Sequence, residues 1–238
     1  MSQKSMEPYG LALKDFYDGC KNVKIVFHRD DGLKEEAPLS FYFRSENNFT
    51  LIGKQADKLC QGRVLDIGAG VGPHSLTLQK YGFDVLAIDI SPHACEIMKK
   101  RGVLNVMCAT VYDLKDVTFD TIILMGRSIG FVEDLRGLKK FLNYCKDLLN
   151  SGGILLLDSI DVQQTTNEIH LAYQKENLKL GCYIGEIRLQ IEYKGQLGEK
   201  FQILHVDPLT LTNSANEMGW SCDILLREKN GGYLAKIC

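Results

Sequence analysis

One stretch, Arg63 to Asp89, limits what the whole chain can become. It opens Arg-Val-Leu-Asp-Ile-Gly-Ala-Gly-Val-Gly, passes through a short helical segment, and closes Asp-Val-Leu-Ala-Ile-Asp. Val64, Leu65 and Ile67 form a short apolar strand; glycines follow at alternate positions 68, 70 and 72; a second apolar strand ends in Asp89. This order predicts a strand-loop-helix-strand unit with a ligand loop at its first turn. A chain leaving a buried strand for a helix must turn sharply, which glycine tolerates, and a backbone without Cβ lets a ligand lie against it. The helix that follows points unpaired N–H groups at the loop. A carboxylate ending the second strand can accept hydrogen bonds from both hydroxyls of a ribose.

Two details sharpen the reading. The spacing is Asp-x-Gly-x-Gly-x-Gly, and Pro73 stands where a dinucleotide fingerprint needs its third glycine. Asp66 at the head of the loop would repel a pyrophosphate but suits an ammonium or a sulfonium. S-adenosylmethionine carries both of those cations, a ribose and no phosphate. The stretch resembles motif I of the class I S-adenosylmethionine-dependent methyltransferases, and Asp89 matches the acid after that family's second strand. The resemblance implies S-adenosyl-L-methionine as cofactor and S-adenosyl-L-homocysteine as product. It also implies cofactor contacts at Asp66, Gly68, Ala69, Gly70, Asp89, Ile90, Met125 and Gly126. In this family the segment after the third strand holds adenine. Here the matching position is Thr110 or, with a small shift, Asp113, and the backbone N–H of Val111 is a third candidate.

The rest of the chain supplies the frame. A helical face at Leu13, Phe16 and Tyr17 precedes a strand at Val23, Ile25 and Phe27, then a charged loop over residues 29–37. Leu39, Phe41 and Phe43 alternate as a further strand, which puts Ser40, Tyr42 and Arg44 on its other face. That face either meets solvent or closes over the cofactor, with Arg44 pairing with the methionine carboxylate. Strands and helices then alternate from Phe49 to Leu157, with Ser91-Pro92 opening one helix and Gly102 stopping it. Phe119-Asp120 before a strand, and Ser151-Gly152-Gly153 before another, again resemble the family. A helix over 167–177 and a hairpin over 187–205 interrupt the pattern. A helix from Pro208 and two strands joined at Asn230-Gly231-Gly232 complete it.

The expectation is therefore α/β: a doubly wound, Rossmann-like seven-stranded sheet with an antiparallel last strand, plus an N-terminal extension and an inserted β-hairpin. The segments are 1–45 as a cap, 46–160 as cofactor core, 161–206 as an insertion that caps the crevice or meets a second copy in a homodimer, and 207–238 completing the sheet. The resemblance covers roughly residues 46–160 and 207–238.

The reaction that the resemblance implies is in-line displacement, in which the protein's main work is alignment. A base is needed only where the acceptor must lose a proton. Candidates are His205, Asp158 and Tyr193; each also reads as a packed or backbone-bonded residue. His170 decorates a helix face, and His74 and His93, at helix starts, read as structural. Arg127 either binds an acidic group of the substrate or forms a surface ion pair. Composition narrows the acceptor. A net charge of -2 and a pI near 6.2 give no bulk attraction for nucleic acid or an anionic membrane. A small-molecule acceptor, O or N, is the expectation; a protein or RNA acceptor and a non-catalytic cofactor-binding scaffold are the alternatives. The eight cysteines include no Cys-x-x-Cys, so no metal site is expected. The absence of an apolar leader or span predicts a cytoplasmic protein with reduced thiols.

Overall fold

The computed structural model describes residues 1–238. Helix α1 (Gln3–Tyr17) leads into a hairpin of β1 (Lys24–Arg29) and β2 (Lys34–Pro38), and 3-10 turns at Leu39–Phe41 and Glu46–Asn48 carry the chain to α2 (Leu51–Leu59). The alternating part follows: β3 (Val64–Ile67), α3 (Pro73–Lys80), β4 (Val85–Asp89), α4 (Pro92–Arg101), β5 (Asn105–Cys108), β6 (Phe119–Leu124), α5 (Leu135–Leu148) and β7 (Leu149–Ile160). Next come α6 (Glu168–Lys179), β8 (Glu186–Tyr193), the two-residue β9 (Gln196–Leu197) and β10 (Phe201–Leu204). The chain ends with α7 (Pro208–Glu217), β11 (Cys222–Arg227) and β12 (Gly232–Ile237). No helix is long and apolar enough to cross a membrane.

Local chemistry sets many of these boundaries. The Ser91 side chain caps α4 with Pro92 in its first turn, and Gly102 closes it in the left-handed conformation. Asp207 caps α7 by accepting from the N–H groups of Leu209 and Thr210. The seven core strands run in the order β5-β4-β3-β6-β7-β12-β11. The first five are mutually parallel, while β12 is antiparallel to both β7 and β11. Ile122, Ile123, Leu155 and Leu156 are wholly buried, as strands covered on both faces require. The strand order reverses between β3 and β6, so the loops after them diverge and leave a crevice at the carboxyl edge.

The remaining strands form a second, antiparallel sheet, β10-β8-β1-β2, with β9 on β8. It joins the N-terminal segment to the segment between β7 and α7: Val26 pairs with Glu192 and Phe27 with Ile191. Tyr9, Leu13, Ile25, Leu39, Ile97 and Ile191 form one buried cluster that fastens α1 between this sheet and α4.

The structure corrects one expectation here. The strand lies at Lys34–Pro38, within the supposed charged loop, and Leu39–Phe41 is a 3-10 turn. β2 is the edge of its sheet, where charged residues and a terminal proline are tolerated, so hydrophobic alternation could not reveal it. Leu39 is buried, but Phe41 is half exposed, and their alternation reflects the turn.

Replacing Leu156 with alanine empties a fully enclosed site in the central sheet. The expected loss is about 2–5 kcal/mol, read as a lower urea midpoint at unchanged slope.

Candidate functional site

The crevice at the carboxyl edge opens into a cavity of about 600 Å³. Its floor is the loop after β3. Gly68 and Gly70 both have positive φ, 69° and 58°. A Cβ on Gly68 would come within 2.9 Å of the Ser128 Cβ, so that position is closed to side chains by space as well as by backbone. The N–H groups of Gly68 and Ala69 donate to the Ile88 carbonyl at 2.9 and 3.1 Å, and Gly70 N–H donates to Asp89 Oδ2 at 2.9 Å. Asp89 Oδ1 accepts from Ser91 N–H at 2.8 Å. Each oxygen of Asp89 is thus oriented by one backbone N–H and keeps a lone pair for a further donor.

Asp66 is buried beneath the loop, where Ser75 Oγ donates to its Oδ2 at 2.6 Å. Burial pushes both Asp66 and Asp89 up to about 6. Two carboxylates, neither in an ion pair, at the base of one cavity suit a positively charged ligand and disfavour a phosphate.

All eleven residues named from the sequence as cofactor contacts line this cavity: Arg44, Asp66, Gly68, Ala69, Gly70, Asp89, Ile90, Thr110, Val111, Met125 and Gly126. Asp113 does not. Its Oδ2 accepts from Thr110 N–H at 2.8 Å and from Thr110 Oγ at 2.7 Å, so it is spent as a cap on the turn after β5. The Arg44 guanidinium lies 4.2 Å from the Phe41 ring centroid and donates through Nη1 to the Phe41 carbonyl. Its Nε is buried and has no partner. Tyr42, beside it, meets Tyr9 edge to face at 5.1 Å.

The residues considered as bases are not in the cavity wall. Tyr193 is buried under α1 and donates its hydroxyl to Asp15 Oδ2 at 2.8 Å, so of its two readings, base or packed residue, the structure has the packed one. The strand carries Leu189 and Ile191 past the cavity and Tyr193 beyond its end. His205 follows the last residue of β10, outside the wall, although Phe201 and Ile203 of that strand are in it. Burial and the nearby Arg127 charge hold His205 down at about 4, so its imidazole is neutral near pH 7. Asp158, at the end of β7, accepts from Arg127 N–H at 2.8 Å, and burial pushes it up to about 6.

Sequence reasoning missed part of the wall. Phe27, Leu189, Phe201 and Ile203 reach the cavity from the second sheet. Their alternation on strands was visible, but the pairing of β1 with β8 was not. His74 was read as structural. It lines the cavity, stacks on Phe49 at 4.3 Å and bonds Asp57 through Nδ1 at 2.8 Å, while its buried Nε2 has no partner.

Known proteins carry the same pattern. The methyltransferase domain family matches residues 65–157. A solved S-adenosylmethionine-dependent methyltransferase from Bacteroides fragilis, in complex with S-adenosyl-L-homocysteine, is 31% identical, with a TM-score of 0.85 over 98% of this chain and 95% of that one. A glycine/sarcosine N-methyltransferase of Halorhodospira halochloris is 30% identical over 125 residues, 48% of this chain and 45% of the relative. A 23S rRNA (uracil(747)-C(5))-methyltransferase of Pyrococcus horikoshii is 32% identical over 74 residues, 31% of this chain and 18% of the relative. The chain spans less than half the length of these two curated relatives, and their acceptors differ. With the Bacteroides fragilis protein alike over nearly its whole length, and the glycine loop and its two carboxylates in place, this chain belongs to the S-adenosylmethionine-dependent methyltransferases.

Proposed function

We propose that this chain moves a methyl group from S-adenosyl-L-methionine to an O or N atom of a small molecule. The observation that carries the reading is the shape of the cavity. Its floor is the glycine loop, its roof is the apolar face of the second sheet, and its volume of about 600 Å³ suits two small ligands rather than a polymer. The near-neutral charge of the chain also favours a small acceptor over RNA. In this reading residues 46–160 with 207–238 are the cofactor core, and 1–45 with 161–206 are its cap.

The donor set fits the cofactor. Asp89 accepts from the ribose hydroxyls, Asp66 faces the cationic end, and the buried, unpartnered Arg44 Nε takes the methionine carboxylate. Ala69, Ile90, Thr110, Val111, Met125 and Gly126 enclose the remainder. When bound, the cofactor supplies an activated methyl on a sulfonium leaving group, so no covalent protein intermediate is required. The chain's own residues align the acceptor and exclude water, and such alignment contributes on the order of 7–11 kcal/mol. None of Tyr193, His205 and Asp158 lines the cavity; Asp158 is joined to its wall through the Arg127 N–H that it accepts.

Calorimetric titration tests the reading directly: S-adenosylmethionine and S-adenosylhomocysteine should both bind at micromolar Kd, and no binding to folded protein refutes it. Asp89→Ala should weaken both by about 10–100-fold, since hydrogen bonds to a charged group are lost. Arg44→Ala should weaken S-adenosylhomocysteine and leave adenosine unchanged; equal effects on the two remove Arg44 from the carboxylate. Because burial raises Asp66, the cation-binding carboxylate form is lost as pH falls below about 6. Affinity for S-adenosylmethionine should therefore drop about ten-fold between pH 7 and pH 5, and Asp66→Asn should make that fall shallower, leaving the part due to Asp89, which is raised to about 6 as well.

A further inference from the structure

The cavity has two chemically different ends. Strands β3 and β4 bring Asp66 and Asp89 to one. The second sheet brings Phe27, Leu189, Phe201 and Ile203 to the other, with Phe131 beside them. The segment Ser128–Val132 joins the ends and packs on β10: a Cβ on Gly130 would lie 3.2 Å from the Ile203 Cβ, and Gln202 Nε2 donates to the Glu133 carbonyl at 2.9 Å.

Arg127 opens that segment and lines the cavity with an exposed side chain. The chain has eight arginines. Seven have a guanidinium engaged by a carboxylate or a backbone carbonyl: Arg29, Arg63, Arg136, Arg188 and Arg227 on acids, Arg44 and Arg101 on carbonyls. Arg127 alone has none; its charge is felt by Asp158 and His205. Its backbone is held left-handed at φ 63°, with its N–H fixed on Asp158 at 2.8 Å and its carbonyl accepting from Gly130 N–H at 3.0 Å. A non-glycine residue kept in this conformation by its surroundings is a feature of ligand clamps. A fixed backbone presenting a free guanidinium beside an aromatic wall is complementary to an anionic group on an apolar body.

We infer that the methyl acceptor is a small amphiphilic acid, whose carboxylate pairs with Arg127 while its apolar body lies against Phe27, Leu189, Phe201 and Ile203. The inference rests on the methyltransferase reading of the same cavity. The methylated atom is a second group of that molecule, an amine or phenol, because the Arg127-bound carboxylate is held at the anchor. Attack forms the O–C or N–C bond as the S–C bond breaks, the electron pair of that bond stays on sulfur, and the proton of the acceptor passes to water.

The test uses full-length protein saturated with S-adenosylhomocysteine and two matched probe pairs: 4-hydroxyphenylacetate against 4-hydroxyphenylacetamide, and indole-3-acetate against indole-3-acetamide. By calorimetry each acid should bind about ten-fold more tightly than its amide. Arg127→Met should bring the acid to the amide's affinity while leaving S-adenosylhomocysteine within two-fold, and Arg127→Lys should restore part of the preference. Phe201→Ala should weaken acid and amide alike. Equal binding of acid and amide, or binding of neither, overturns the inference. So does an Arg127→Met effect confined to S-adenosylhomocysteine, which would assign the guanidinium to the cofactor. Failure of wild-type protein to bind S-adenosylhomocysteine is a different result, and overturns the cofactor reading together with what rests on it.

Discussion

The hydrogen bond from Gly70 N–H to the Asp89 carboxylate ties the ends of two neighbouring strands together. β3 and β4 are already paired along their length, from Val64 opposite Val85 to Ile67 opposite Ile88. Beyond that ladder the backbone must leave the sheet, and its N–H groups need new partners. Ile88 takes two of them through its carbonyl, and Asp89 takes the next through its side chain. The left-handed glycines are the conformations this handover needs. Burying the carboxylate has a cost, visible in its raised pKa, and the two backbone N–H groups it accepts offset part of it. The loop is therefore shaped before any ligand arrives, and the residues that shape it are also those best placed to hold a ribose.

Much of this was legible in the sequence, because it is local. Strand-loop-helix-strand order, Pro73 and Pro92 in first turns, Gly102 as a stop and the antiparallel final pair all follow from short windows of sequence, and the structure has each of them. What could not be read was non-local. The second sheet joins strands from two distant segments, and nothing in either segment identifies its partner. A hairpin over 187–205 is silent about where the cavity ends: on β8, Leu189 and Ile191 reach it and Tyr193 does not. The hairpin expected to run to residue 205 stops at Leu204, and His205 falls just beyond the strand that carries Phe201 and Ile203 to the cavity. Asp113 illustrates the reverse problem: an acid in the right sequence window is consumed by its own turn.

Electrostatics organises the cavity more than any single contact. Asp66, Asp89 and Asp158 are all raised by desolvation, which makes the carboxyl edge a place where ionised carboxylates await positive charge. Arg44 and Arg127 stand on the same wall, and both stabilise the ionised form of Asp158. The cavity is thus zwitterionic at its base and apolar at its roof, a division that matches a charged cofactor below and a largely apolar partner above.

That division follows from which elements build each end. The cofactor end is built on carboxyl ends of parallel strands, whose side chains pack on both faces of the core; substitution there disturbs the sheet itself. The roof is an antiparallel sheet whose edge strand faces solvent, and its cavity-facing positions Phe27, Leu189, Phe201 and Ile203 are outside the main core. In the proposed reading, changing them reshapes the acceptor space and leaves the loop after β3 as it is. Arg127 lies on the boundary between the two: Asp158 of the core fixes its backbone, while its side chain shares a wall with the roof. In the proposed reading a residue so placed fixes the acid of the acceptor from the core side, and the apolar roof is left to receive its body.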